Sequence, residues 1–249
     1  MFTGISGNFD WMRKLLRIGS QFPTHHSKQN MAAVVPNFKE KDVNLNTEKI
    51  GIELNEIRTF NQYTWRPITF DNTIGYFLTD AEFVTSFGIQ ESEKYPGTFT
   101  IGVNVEDDSI FHVIEESIKE RIMDSDWLVF GFQKKPSLEL LNFSFDSAIK
   151  KGKANKEGGN YPDSVYLKIN TKGKGKELLC PIFELDENKK PFQIDSRDLG
   201  GSKIKLLFSA DLRVTNGKMS KIIFTVHQIL KTEKSSFVSK PYVSEYAFA

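Results

Sequence analysis

Cysteine is nearly absent, histidine is scarce, and no long apolar run interrupts the chain. With Cys180 as its one cysteine, the chain has neither an internal disulfide framework nor a cysteine-rich zinc site. Cys180 lies in the apolar run "LLCPIF" and reads as a small buried hydrophobe. His25 and His26 are adjacent, so they do not share a face, while His112 and His227 stand alone without an HxxxH neighbour, and no metal is expected. No stretch reaches the roughly eighteen apolar residues of a membrane-spanning helix, so no membrane partner is expected. Charge of one sign does not dominate either: 33 basic residues face 32 acidic ones, for a net +1. That balance excludes a uniformly cationic protein and leaves polyanion binding to a local patch.

The usual marks of catalysis are missing as well. "TKGKGKE" lacks the spacing and the Ser/Thr of a phosphate-binding loop, and "LGGSK" lacks its first glycine. There is no GxSxG elbow. Glu106, Asp107 and Asp108 offer oxygens to a hard cation, but three carboxylates at a helix start are more simply explained by the helix dipole. No enzyme activity and no cofactor are expected.

What is present is sorted by position. The stretch "KKGKANKEGGNYPDSVYLKINTKGKGK", Lys150 to Lys176, carries eight lysines against Glu157 and Asp163. From Asp80 to Asp126 the balance reverses, with twelve carboxylates against Lys94, Lys119 and Arg121. Apolar residues alternate with polar ones in "TFTIGVNVE", where Phe99, Ile101, Val103 and Val105 share a side. "SVYLKIN" turns Val165, Leu167 and Ile169 inward and Tyr166 and Lys168 outward. "SKIKLLFSADLRV" repeats the rule through Ile204, Leu206, Phe208, Leu212 and Val214. A period of two marks half-buried strands. Asn216-Gly217 predicts a turn joining that strand to "MSKIIFTVHQIL", and "DENKKP" a second turn after "LLCPIFEL".

One segment has helical spacing. Ile110, Ile114, Ile118 and Ile122 recur every four residues beside Phe111, and Asp107, Asp108 and Ser109 suit the N-terminal end, predicting a helix from about Ser109 to Met123. The fold class expected is all-β (a β-rich α+β arrangement), a barrel or sandwich with one substantial helix between strands. Residues 1–45 are expected as a flexible leader, 46–231 as the domain, and 232–249 as a tail. The leader's "WMRKLLRIGSQF" is basic and amphipathic. It reads either as a mitochondrial presequence within residues 1–30 or as a dispensable extension ahead of Met31.

The basic stretch and its aromatics carry the binding chemistry. Lysines follow phosphates, and aromatic faces stack bases at about 1–3 kcal/mol each. The candidates are Lys150, Lys151, Lys153, Lys156, Lys168, Lys172, Lys174 and Lys176, with Phe143, Phe145, Tyr161 and Tyr166 as stacking rings. The competing reading is a solvated loop with the phenylalanines in the core.

The run from "YPDSVYLKI" through "PIFELDENKKPFQIDSRDLGGSKIKLLFSADLRVTNGKMSKIIFTVHQIL" resembles the OB-fold single-stranded-DNA-binding proteins of phages and large DNA viruses. The elements that carry the resemblance are the turn Asp186 to Pro191, the loop Gly200-Gly201-Ser202-Lys203, and the hairpin about Asn216-Gly217, with a helix and basic linker interrupting the barrel. The resemblance implies an OB-fold-like antiparallel barrel and a non-catalytic intracellular viral protein that coats single strands in replication, recombination or repair. It adds Lys203 to the binding candidates and replication proteins to the partners. Phosphates and base faces are common to DNA and RNA, so both strand chemistries are admitted. A strongly acidic tail is common in such phage proteins; here the tail has only Glu233 and Glu245 against Lys231, Lys234 and Lys240, which argues against tail-mediated recruitment. Two other classes fit the same residues: a structural or virion β-barrel contacting protein or packaged genome, and a carbohydrate-binding sandwich.

Overall fold

The computed structural model describes residues 37–234, apart from 56–57, 62, 128–131, 156–157, 174–176, 196 and 216–218. Strand β1 (Asn37–Lys39) and helix α1 (Glu40–Leu45) form inside the stretch expected as leader. Val43 is fully buried, and the backbone N–H groups of Asp80 and Ala81 donate to the Glu40 carboxylate at 2.7 and 2.8 Å, tying this entry segment to the body. The short strands β2 (Ile50–Ile52) and β3 (Arg58–Phe60) follow, both pairing with β4 (Tyr63–Phe70). The chain then turns through β5 (Thr73–Ile74) and β6 (Tyr76–Leu78) into β7 (Phe83–Glu91) and β8 (Phe99–Val105).

Helix α2 (Ile110–Arg121) comes next, close to its expected span, and its last turn widens over Ile122–Asp126. Ile110, Ile114, Ile118 and Ile122 are all fully buried, as the four-residue spacing requires. Ser109 occupies the N-cap position with extended backbone, but its hydroxyl lies 3.1 Å from His112 Nδ1 and makes no capping hydrogen bond. A short helix α3 (Leu138–Ser144) leads to β9 (Ile149–Lys150) and β10 (Asp163–Ile169). The small pair β11 (Thr171–Lys172) and β12 (Glu177–Leu178) precedes the hairpin of β13 (Ile182–Leu185) and β14 (Pro191–Ile194). The long strands β15 (Ser202–Thr215) and β16 (Met219–Lys234) end the described chain. They pair up to Thr215 opposite Met219, so the hairpin is as expected, while the Asn216-Gly217 turn lies outside the described residues.

Five of these strands close on themselves. β7 pairs β8, β8 pairs β10, β10 runs parallel to β16, β16 pairs β15, and β15 returns to β7. Every junction but β10–β16 is antiparallel, and closure removes the sheet edges that would otherwise invite aggregation. This is an OB-fold-like barrel. Two bulges in β16, at His227 and Thr232, keep the ring strongly coiled while β15 holds its period of two.

The barrel's interior is aromatic at its centre. Phe111 of α2 lies 5.3 Å from Phe83 and 5.0 Å from both Phe208 and Phe224, so the helix plugs the ring with a side chain that touches β7, β15 and β16. The helix is also pinned by charge. Buried Glu115 accepts from the Ala148 N–H at 3.0 Å and pairs with Lys119 at 3.0 Å, joining α2 to the approach of β9. Cys180 is buried as expected, and burial pushes its thiol up to about 12, which leaves it inert as a nucleophile.

Candidate nucleic-acid interface

Neighbouring strands β8 and β10 build the first surface. Val165, Leu167 and Ile169 point into the core, so Tyr166 and Lys168 face outward. Tyr166 stands directly opposite Gly102, and Lys168 opposite Thr100. A Cβ at position 102 would come within 3.1 Å of the Tyr166 ring, so the glycine lets the ring lie down on the sheet. The ring is still 52% exposed, which suits it to receive a base. In an OB-fold barrel this second- and third-strand face is where oligonucleotides bind.

The other candidates divide. Lys150 flanks β10 in register with Ser164 and pairs with Asp146 at 3.3 Å. Lys151 pairs with Asp163 at 2.6 Å, and the Gly152 N–H donates to the same carboxylate at 2.9 Å. These contacts hold Asp163 below its ordinary carboxylate value, with the Lys151 hydrogen bond foremost. Lys153 and Tyr161 are exposed and meet through the Tyr161 N–H, which donates to the Lys153 carbonyl at 2.9 Å. Lys172 is exposed on β11. Lys156, Lys174 and Lys176 lie outside the described residues.

Three expected members do not join this surface as read. Phe143 and Phe145 alternate in the sequence, yet the segment up to Ser144 is helical. Ser137 caps α3 by accepting from the Leu140 N–H at 3.2 Å, and Leu141 and Phe145, four residues apart, are both buried. Phe145 therefore belongs to the core, with Lys119 Nζ 5.2 Å from its ring centre, and has no face for a base. Phe143 is 88% exposed, but on the helix rather than on a strand. Lys203 pairs with Glu233 at 3.1 Å and lines a different feature altogether.

That feature is a cavity of about 1460 Å³ beside the Gly200-Gly201 loop. Its walls carry Glu40, Asp80, Glu82, Glu106, Asp108, Asp198 and Glu233 against Lys41 and Lys203. Four carboxylates of the acidic stretch, Asp80, Glu82, Glu106 and Asp108, thus join three from elsewhere in the chain, and their summed field repels a polyanion. Nearby, ligand atoms of Asp107, His112 and Asp163 lie within 4.8 Å of one another, the kind of group that can hold a metal ion. The Lys151 ammonium already occupies Asp163 there.

Sequence reading passed over a second aromatic and cationic group. Tyr63 and Trp65 on β4 lie beside Arg213 on β15, whose guanidinium is 4.9 and 5.7 Å from the two ring centres. Alternation in "ADLRV" already turned Asp211 and Arg213 outward once Leu212 and Val214 were assigned inward. The pairing of β15 with β4, which supplies the rings, had no local signal.

No family description and no curated protein matches the chain. Among solved structures it is similar to the single-stranded DNA-binding protein from bacteriophage Enc34, at 9% identity over 76% of this chain and 96% of that one, with a TM-score of 0.38. A C-terminal truncation of the same phage protein gives 11% identity, coverage of 75% and 96%, and a TM-score of 0.37. The gp2.5 single-stranded DNA binding protein encoded by bacteriophage T7 gives 14% identity, coverage of 68% and 99%, and a TM-score of 0.36. The barrel assignment rests on the strand register, independently of these likenesses.

Proposed function

We propose that this protein binds single-stranded DNA without catalysing a reaction on it, using the outward face of β8 and β10. Tyr166 stacks a base, Lys168 neutralises a phosphate, and the exposed Lys153, Lys172 and Tyr161 extend the contact along the strand. Recognition through phosphates and base faces is indifferent to sequence, which suits a protein that coats exposed strands during replication, recombination or repair. One observation carries the reading. A half-exposed tyrosine lies against a glycine directly across the sheet, with an outward lysine two residues on, at the strand pair where closed five-stranded barrels take oligonucleotides.

Titrating fluorescent oligo-dT and oligo-U at two salt concentrations tests it. Micromolar or tighter binding that weakens steeply with salt is the expected result. Absence of binding to either oligonucleotide at low salt would refute the proposal and leave the structural-barrel reading.

A further inference from the structure

Four strands set four side chains in one rung. Across β16, β15, β4 and β3, Lys221 stands opposite Arg213, Arg213 opposite Trp65, and Trp65 opposite Arg58. Directly opposed residues project from the same face of a sheet. Because Leu212 and Val214 are buried, the rung lies on the outer face, the one that bears Tyr166 and Lys168. Like charges directly opposed on a sheet destabilise it, so Lys221 facing Arg213 is a cost that folding alone does not explain.

The free protein meets that cost with anions of its own. Arg58 Nη2 lies 2.7 Å from Asp211, and Lys221 Nζ lies 2.8 Å from Asp146, which also takes Lys150 at 3.3 Å. Among the described residues, Arg213 has no such carboxylate. It lies over Tyr63 and Trp65, and its buried Nε has no hydrogen-bond partner among the described residues. Asp211 joins the rung to the β10 face, since the Lys168 ammonium attracts the same carboxylate. Carboxylate and phosphate both match the donor fork of a guanidinium such as Arg58, and an ammonium such as Lys221 accepts either anion as a point-charge partner.

We propose that this rung is a second single-stranded nucleic-acid subsite, continuous with the Tyr166–Lys168 face, in which a base stacks at Trp65 and backbone phosphates replace Asp211 on Arg58 and Asp146 on Lys221. It rests on the single-strand-binding reading above. A lone phosphate gains little over the carboxylate it displaces, whereas a strand presenting several at once gains from each. The two aspartates thereby favour strands over free nucleotides.

The test uses the full chain and oligo-dT, read by tryptophan fluorescence and by the salt dependence of affinity. Arg58→Ala, at an exposed position, should weaken binding several-fold and lower the log–log salt slope by about 0.7. Asp211→Asn should tighten binding several-fold at low salt by releasing Arg58 and Lys168. Trp65→Phe should remove most of the oligo-dT-induced quenching, though Trp11 and Trp127 remain. Should that variant fail to fold, the two exchanges at Arg58 and Asp211 decide. If Arg58→Ala and Asp211→Asn both bind with wild-type affinity and slope while Tyr166→Ala binds weakly, the rung is not a subsite and the Tyr166 face stands. If the wild-type chain binds no oligo-dT, both proposals fall together.

Discussion

The β10 face and the acidic cavity each carry a lysine and an exposed aromatic, and they differ in the charge around them. On β10, Lys168 and Tyr166 share an open face, and the acid that Lys168 attracts, Asp211, is itself engaged by Arg58. At the acidic cavity, Lys203 and the 72% exposed Phe87 stand among carboxylates of five separate chain segments, and one of them, Glu233, holds the lysine. A lysine and an exposed ring on one surface are therefore not enough to mark a polyanion site. The summed field around the pair decides, and that field is assembled from residues far apart in sequence.

The most disruptive way to break the comparison is to remove the core that both places share. Phe111→Ala should cost about 3–5 kcal/mol of stability, because the ring fills the barrel centre and the cavity cannot collapse around three fixed phenylalanines. Urea unfolding measures it, and an effect below about 1 kcal/mol would show that α2 does not plug the ring.

Acid should act on the β15–β16 side. Burial pushes the His227 imidazole down to about 4, with Ser209 Oγ 2.9 Å from Nε2 and the Tyr76 ring 4.5 Å away. Between pH 6.5 and 4 the unfolded chain binds a proton that the folded chain refuses. Stability is then full above that window and falls as pH drops through it, by up to roughly 3 kcal/mol. His227→Gln should flatten this dependence in thermal melts recorded across the window.

Affinity sharpens the contrast further. Tyr166→Ala should cost about 1–3 kcal/mol in oligo-dT binding with an unchanged salt slope, because stacking releases few ions. Phe87→Ala, made in parallel, should leave affinity unaltered. Equal losses in the two variants would mean that the cavity, too, receives the strand.

The smallest effect separates the two lysines. Lys168→Ala should reduce the salt slope by about 0.7, and Lys203→Ala should leave it unchanged. Adding Lys172→Ala, Lys174→Ala and Lys176→Ala tests whether the basic stretch contributes beyond Lys168, each phosphate contact adding a similar decrement. A slope that stays constant through the whole series would reduce the stretch to a solvated loop.

Strands were legible wherever one face is buried. The alternations in "TFTIGVNVE" and "SVYLKIN" correspond to β8 and β10 residue for residue, and the isoleucine spacing located α2. Phe145 is a stacking candidate by its place beside the basic stretch, but the capping serine and the Leu141–Phe145 spacing mark a helix that turns it into the core. Of the candidate residues, Tyr166 and Lys168 were placed outward by parity alone. Lys203 was drawn in through a loop motif, and only its neighbours in space reveal that it belongs to the acidic cavity.

By itself the sequence determined the period of each long strand, the buried face of α2, and the outward direction of Tyr166 and Lys168, because these depend on neighbours two to four residues away. It also segregated acidic from basic stretches along the chain. Tertiary structure alone decided that β10 lies parallel to β16 and closes the barrel, that Gly102 receives the Tyr166 ring, and that Lys221, Arg213, Trp65 and Arg58 meet in one rung. Those contacts join residues as far apart as Trp65 and Arg213. Register between distant strands is set by packing of the whole core, and no local pattern encodes it.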